Sequence, residues 1–151
     1  MFGGIYIEFK IAKEEYNRKY NKELNKTGIF WAFSNEQFAQ NKTHKNAPTN
    51  EYMSISAGGY FHKSNLNKVD KFFKVIAPEL KKEFTSKIKI EDLIEYELIN
   101  HECYYTGDYH EIVPIIQDYY SELSLEEITN KVTEVYKNTK DKNLDAFDME
   151  I

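Results

Sequence analysis

The sequence predicts an α+β fold, with a small antiparallel sheet of two or three strands packed with four or five helices. Three observations lead there. Short apolar runs of strand character stand at residues 29–33 and 52–61, while three- and four-residue apolar spacing recurs through most of the rest. At 151 residues the chain has the size of one common domain, burying roughly two thirds of its unfolded surface. The expected domain covers residues 1–137, and residues 138–151 are expected to be a loosely held acidic tail, since only Leu144, Phe147 and Met149 offer apolar anchors there.

Each element has its own signal. Ile5, Phe9, Tyr16 and Tyr20 fall near one face at helical spacing, with Lys13, Arg18, Lys19 and Lys22 on other faces, so an amphipathic helix opens the chain. The alternation of Ile5, Ile7 and Phe9 behind Gly3-Gly4 leaves a first strand open at the same place. Gly28 is a suitable helix stop. The run 29–33, bounded by Gly28 and Ser34, reads as a buried strand, and Ser34 with Gln37 three residues on is a capping box for a short helix through Phe38. Residues 41–50 are polar and contain Pro48, which marks a loop and the expected mobile part of the body. Residues 52–57 alternate as a strand does, and Gly58-Gly59 supply a bulge or a tight turn before Tyr60, Phe61 and His62.

Beyond Ser64 or Asn65 as cap, Val69, Phe72, Phe73, Ile76 and Leu80 predict a helix that Pro78 kinks or divides. Ile90, Leu93, Ile94 and Leu98 predict the next, and Tyr104-Tyr105-Thr106-Gly107-Asp108 a turn, since Thr-Gly-Asp supplies a flexible residue beside a short side chain that can bond its own backbone. Ile112, Ile115, Ile116 and Tyr119 follow as a helix with Pro114 near its start. Ser124 with Glu127 forms a second capping box, opening a helix that turns Leu125, Ile128, Val132 and Val135 inward.

Charge is distributed unevenly along the chain. Residues 90–130 carry eleven acids and no lysine or arginine, whereas residues 1–89 carry sixteen basic residues against nine acids, giving −11 and +7. The net charge of −5 conceals this asymmetry, which speaks to partners rather than to fold. An acidic segment repels nucleic acid and suits a basic protein groove. Twelve Tyr and ten Phe against one Trp predict a core built from rings and leave tyrosines for the surface, where they supply rigid contact area; an AT-rich coding bias produces the same composition. One cysteine, Cys103, excludes an internal disulfide and points to the cytoplasm. No stretch approaches the roughly 20 apolar residues of a membrane span, and Glu8 comes too early for a signal peptide.

Reactive side chains gather once, in residues 100–111. His101, Glu102, Cys103, Asp108, His110 and Glu111 offer metal ligands or an acid and base pair if the turn brings His101 and His110 together. The segment lacks the His-Glu-x-x-His pattern and a Cys-x-x-Cys. Its bland reading has Asn100, His101 and Thr106 bonding the backbone at a helix end and Cys103 filling core. Ser54 to Tyr60 lacks the glycines and the Lys-Ser or Lys-Thr framework of a phosphate loop. The lysines beside Phe72 and Phe73, namely Lys68, Lys71, Lys74, Lys81 and Lys82, read either as a nucleic-acid track or as a solvated helix face.

Tyr96-Glu97-Leu98-Ile99-Asn100-His101-Glu102-Cys103-Tyr104-Tyr105-Thr106-Gly107-Asp108, together with Phe30-Trp31-Ala32-Phe33-Ser34-Asn35-Glu36-Gln37-Phe38 and Ser54-Ile55-Ser56-Ala57-Gly58-Gly59-Tyr60, resembles a family of small uncharacterised proteins of phages and mobile elements, over about residues 29–136. The resemblance implies a genomic setting in which small accessory proteins block host defence, anti-CRISPR proteins among them, and it carries no activity.

These readings together predict a non-enzymatic cytoplasmic protein, without cofactor or metal, that covers a basic nucleic-acid-binding surface on a host protein, most sharply a CRISPR-Cas nuclease. Charge complementarity would come from Glu91, Glu95, Glu97, Asp108, Glu111, Asp118 and Glu122. Contact area would come from Tyr104, Tyr105, Tyr109, Tyr119 and Tyr120, all expected to be exposed. The alternative is a small metal-assisted or acid/base hydrolase using His101, Glu102, Asp108 and His110. Direct nucleic-acid binding through the lysine-rich half ranks below both.

Overall fold

The computed structural model describes the backbone of residues 4–150 and the side chains of residues 7–144. The fold is α+β, mostly helical with a three-stranded antiparallel sheet. The chain divides into two compact units, one made of the residues up to Glu14 together with those from Lys81 onward, the other of Glu15–Leu80.

The sheet lies in the unit Glu15–Leu80. Helix α1 spans Gly4–Leu24, so the helical reading of the opening segment holds over the strand reading. It ends where the Thr27 hydroxyl bonds the Leu24 carbonyl at 2.6 Å and Gly28 takes φ +81°. A side chain at Gly28 would also strike Asn65, whose Nδ2 lies 2.4 Å from an added Cβ, so this stop has both a conformational and a steric reason. Strand β1, Phe30–Trp31, is shorter than the apolar run that predicts it. Ser34 then caps α2, Asn35–Asn41, accepting the Gln37 N–H at 3.1 Å, while Gln37 Oε1 accepts the Phe33 N–H at 2.8 Å. The capping box is therefore real, with its return bond one residue earlier than the usual pattern.

Strands β2, Tyr52–Ile55, and β3, Gly59–His62, form a hairpin closed at Ser56–Gly58, with Ala57 and Gly58 at φ +65° and +80°. Of the two possibilities at Gly58-Gly59, the tight turn is the one that forms. The order is β1-β3-β2, with Phe30 opposite Tyr60 and Tyr52 opposite His62. Cross-strand partners share a face, so Phe30, Tyr60, Tyr52 and His62 lie together. Phe38 closes this face, its ring centroid 5.1 Å from Tyr60 and 5.2 Å from Tyr52. Helix α3, Leu66–Lys71, runs through a π-helical segment, Phe72–Ile76, into α4, Ala77–Ser86. Pro78 explains the widened turn, because it lacks an N–H and crowds the carbonyl four residues back; the Ala77 N–H reaches instead to Phe72 O.

The other unit is a helical assembly. Helices α5, Ile90–Asn100, and α7, Val113–Tyr119, pack on the long α8, Leu125–Glu150. Pro114 sits in the first turn of α7, where its missing N–H costs nothing. Ser124 and Glu127 exchange bonds of 3.1 and 3.2 Å at the start of α8, a complete capping box. Residues 104–108, expected as a turn, contain one helical turn, α6, Cys103–Thr106, ended by Gly107 at φ +78°. Helix α8 continues past Lys137, where the sequence reading begins its tail. Within that stretch Lys142 pairs with Glu95 at 2.8 Å and Asn143 Nδ2 donates to the same carboxylate at 3.4 Å.

Rings are buried in both units, Phe9, Phe84, Tyr104 and Tyr120 in the helical one and Tyr16, Phe30, Phe61 and Phe72 in the other, but the helical unit adds a large aliphatic set. Leu93, Ile94, Leu98, Ile112, Ile116, Ile128 and Val132 are wholly buried in the helical unit, each contributing about 1.5–3 kcal/mol of hydrophobic stabilisation. Aromatic rings dominate around the sheet, because flat side chains cover a small twisted sheet that has few residues to bury it.

Candidate functional site

The acidic segment does not present its acids as one surface. Glu91 pairs with Lys131 at 2.8 Å and Glu95 with Lys142 at 2.8 Å, both lysines projecting from α8 across to α5. The Lys131 ammonium holds the Glu91 carboxyl below its ordinary range. Glu97 is 6 % exposed and bonds His101 at 3.3 Å one helical turn on. Asp118 pairs with Lys81 at 2.6 Å. Asp108, Glu111 and Glu122 remain exposed, with Glu102 beside them, and among the described residues none of these four pairs with lysine or arginine.

The tyrosines divide in the same way. Tyr104 and Tyr120, expected at the surface, are 8 % and 9 % exposed and belong to the core. Tyr104 sits inside because its ring stacks on Tyr136 of α8 at 5.5 Å and its hydroxyl bonds Thr139. Tyr109 stacks on Tyr136 at 4.4 Å and is half-buried, and Tyr119 is half-buried with its hydroxyl accepting from Lys13 at 3.0 Å. Tyr105 is the exposed one, at 71 %. The acid and tyrosine surface thus contracts to a short stretch at α6 and the turn after it, where Glu102, Tyr105, Asp108 and Glu111 follow one another.

Among the described residues no hydrogen bond or ion pair joins His101, Glu102, Asp108 and His110 to one another: His101 Nε2 lies 3.3 Å from Glu97, Glu102 stands exposed at φ +56°, Asp108 has no ion pair, and the His110 ring lies on Tyr109 at 4.5 Å. Among the described residues no three of His, Cys, Asp and Glu are placed to hold a metal ion. The bland reading of this segment holds at two positions, where Thr106 Oγ1 accepts the Asp108 N–H at 3.2 Å and Cys103 is fully buried, while the His101 side chain faces Glu97 rather than the backbone. Burial, with the Glu111 carboxylate 3.7 Å away, pushes the Cys103 thiol up to about 11, so it is inert at neutral pH. The lysine track is likewise interrupted, since Lys74 pairs with Asp70 at 2.9 Å.

Sequence reasoning missed a different gathering, in the sheet unit. His62, at the end of β3, is 8 % exposed. Its Nε2 lies 3.1 Å from Glu51 Oε2 and its Nδ1 2.8 Å from Ser64 Oγ. The His44 ring stacks on it, with centroids 4.0 Å apart and planes 8° from parallel, and His44 Nε2 lies 3.4 Å from Ser64 Oγ. Tyr52 fixes His44 from below, its hydroxyl accepting the His44 N–H at 3.0 Å and donating to the His44 carbonyl at 2.8 Å. Lys63 stands 3.5 Å from the other oxygen of Glu51, and the His62 bond first, then Lys63, hold that carboxyl below its ordinary value of 4.5. The available signal was the strand register, which sets Tyr52 opposite His62 and so brings Glu51 alongside. An open cleft of about 590 Å³ in the same unit is lined by Phe33, Ser34, Phe38, Lys42, Thr49 and Tyr60 among others, and shares no residue with this cluster.

No helix among the described residues is long and apolar enough to cross a membrane. No curated protein and no solved structure matches the chain. Residues 12–142 match the profile described as a family of unknown function, DUF7659, and the chain belongs to that family.

Proposed function

We propose that this protein is a small accessory protein of a phage or mobile element that binds a host protein through a basic, nucleic-acid-binding surface and inhibits it, acting in the host cytoplasm. The sharpest form of the proposal is an anti-CRISPR whose target is a CRISPR-Cas nuclease. One observation carries the reading. Tyr105 stands exposed between Glu102, Asp108 and Glu111, acids without a basic partner among the described residues. Exposed aromatic area beside uncompensated charge supports partner binding: the ring supplies contact at low entropic cost, and the acids supply orientation and on-rate.

The contact set is therefore narrower than the charge count suggests. Glu91, Glu95, Glu97 and Asp118 spend their charge on Lys131, Lys142, His101 and Lys81, and Tyr104 and Tyr120 are core. The test is a pull-down against a purified CRISPR effector at about 50 mM and about 500 mM salt, using wild type and the triple variant Glu102→Lys, Asp108→Lys, Glu111→Lys. Recovery at low salt only, abolished by the reversals while circular dichroism stays unchanged, is the expected result. A complex indifferent to both salt and reversal would sink the proposal.

A further inference from the structure

We propose that Ser64 is a nucleophile, with His62 as its general base and Glu51 as the residue that orients the base, and that the site cleaves activated carboxylic esters. This goes beyond the binding surface and is independent of it, since every residue involved lies in the unit Glu15–Leu80.

The hydrogen bonds determine the tautomer. The Ser64 backbone N–H donates to His62 Nδ1 at 3.2 Å, so Nδ1 carries the lone pair and the ring proton is on Nε2. That proton is donated to Glu51 Oε2 at 3.1 Å. Nδ1 is therefore the basic nitrogen, and the Ser64 hydroxyl lies 2.8 Å from it, within reach for proton transfer. The arrangement has the logic of a serine, histidine and carboxylate triad with the two ring nitrogens exchanged, and such triads are recognised by geometry and roles rather than by chain order. A helix cap would need only the backbone N–H on Nδ1. It would need neither a carboxylate on the far nitrogen nor a hydroxyl on the near one, nor a second imidazole beside that hydroxyl.

The step balances without any further reagent. Ser64 Oγ bonds the carbonyl carbon of the ester as its proton passes to His62 Nδ1, and the carbonyl π electrons move to oxygen. When the carbonyl re-forms, the bond from carbon to the leaving oxygen breaks, and that oxygen takes the proton from His62. Water then repeats the sequence on the acyl-serine, releasing the acid. The transient imidazolium is stabilised by Glu51, whose carboxylate is already ionised beside Lys63. His44 Nε2, 3.4 Å from Ser64 Oγ, would in its Nε2–H tautomer donate to the developing oxyanion.

Substrate class follows from what the site lacks. The Ser64 N–H, which an oxyanion would otherwise use, is committed to His62. Loss of one oxyanion donor lowers turnover about 10²–10³-fold, so amides are excluded and esters with good leaving groups, such as aryl esters, remain. Ser64 and His44 are exposed, so such an ester has direct access.

The experiment uses the full chain with a fluorophosphonate probe and with p-nitrophenyl acetate. The expected result is a phosphonyl adduct at Ser64 with loss of fluoride, read by peptide mass spectrometry, and ester turnover abolished in Ser64→Ala. His62→Gln should slow labelling at least about 100-fold, and Glu51→Gln should slow it less while altering its pH profile. Labelling of the wild type at Ser64 is itself a readout that needs no variant to fold. Absence of an adduct at Ser64 in the wild type, or labelling at the wild-type rate in folded His62→Gln, would each overturn the assignment.

Discussion

Replacing Tyr120 by Phe should make the protein more stable. Tyr120 follows α7, with its N–H donated to the Ile116 carbonyl at 3.0 Å, and its buried hydroxyl has no hydrogen-bond partner among the described residues. Burial pushes the phenol up to about 12, and Glu122, Glu91 and Asp92 add to the effect by opposing a second negative charge. A buried hydroxyl left unsatisfied costs about 1–3 kcal/mol, and Phe retains the ring and its packing. We therefore expect Tyr120→Phe to gain about 1 kcal/mol, or about 2–4 °C in Tm for a chain of this length. Tyr104→Phe is the matched opposite. Thr139 Oγ1 donates to the Val135 carbonyl at 2.7 Å, so Tyr104 is the donor in its bond to Thr139, and losing that bond should cost about 0.5–1.5 kcal/mol. Urea and thermal unfolding at pH 7 compare all three chains. A raised phenol contributes stability that is intact below its unfolded value near 10 and is lost as pH climbs through 12, so the advantage of Tyr120→Phe should widen above about pH 10. A Tyr120→Phe protein less stable than wild type by more than about 0.5 kcal/mol would refute the reasoning.

Three further substitutions test other parts of the account. Glu102→Gly relieves a left-handed backbone at φ +56° and should raise the urea midpoint by the equivalent of about 0.5–1 kcal/mol with an unchanged slope. Leu98→Ala empties a wholly buried position in the helical unit and should cost about 2–5 kcal/mol by the same assay. Glu51 titrates below its ordinary 4.5 because of His62 and Lys63, so its contribution is present above that pH and lost as pH falls through the lowered value. Glu51→Gln should therefore flatten the acid limb of a stability profile below about pH 4.5, and an unchanged limb would show that Glu51 contributes nothing to it.

Much of the fold is legible in the residues because local signals and tertiary demands agree. Ser34 with Gln37, Ser124 with Glu127, Gly28 and Gly107 all act where their chemistry predicts, and their partners lie within four residues. Pro78 was legible as a disturbance but not as a π segment, since the choice between a kink and a widened turn depends on what the flanking rings pack against. Cys103–Thr106 became a helical turn because Tyr104 has Tyr136 and Thr139 to meet, thirty-odd residues away. The histidine cluster was illegible for the same reason. His44 and Glu51 are unremarkable as neighbours of a proline-containing loop, and only the register of β2 on β3 brings them to His62 and Ser64.

A block of like charge in sequence is a surface only if nothing basic folds back onto it. Here α8 does so, because its capping box starts the helix at Leu125 and places Lys131 and Lys142, eleven residues apart, on the side facing α5. Eleven positions equal about three turns, so the two lysines share a face about 16 Å apart and meet Glu91 and Glu95 in turn. Those pairs are partly exposed and add little stability, about 0–1 kcal/mol each. Their larger effect is on recognition: they offset the charge of Glu91 and Glu95, so that among the described residues Asp92, Glu122, Glu126 and Glu127 are left unpaired besides the acids at α6 and the turn after it. A partner drawn by this unit would sense fewer unpaired acids than the eleven of residues 90–130, so its association rate should fall with salt less steeply than for a fully uncompensated polyanion.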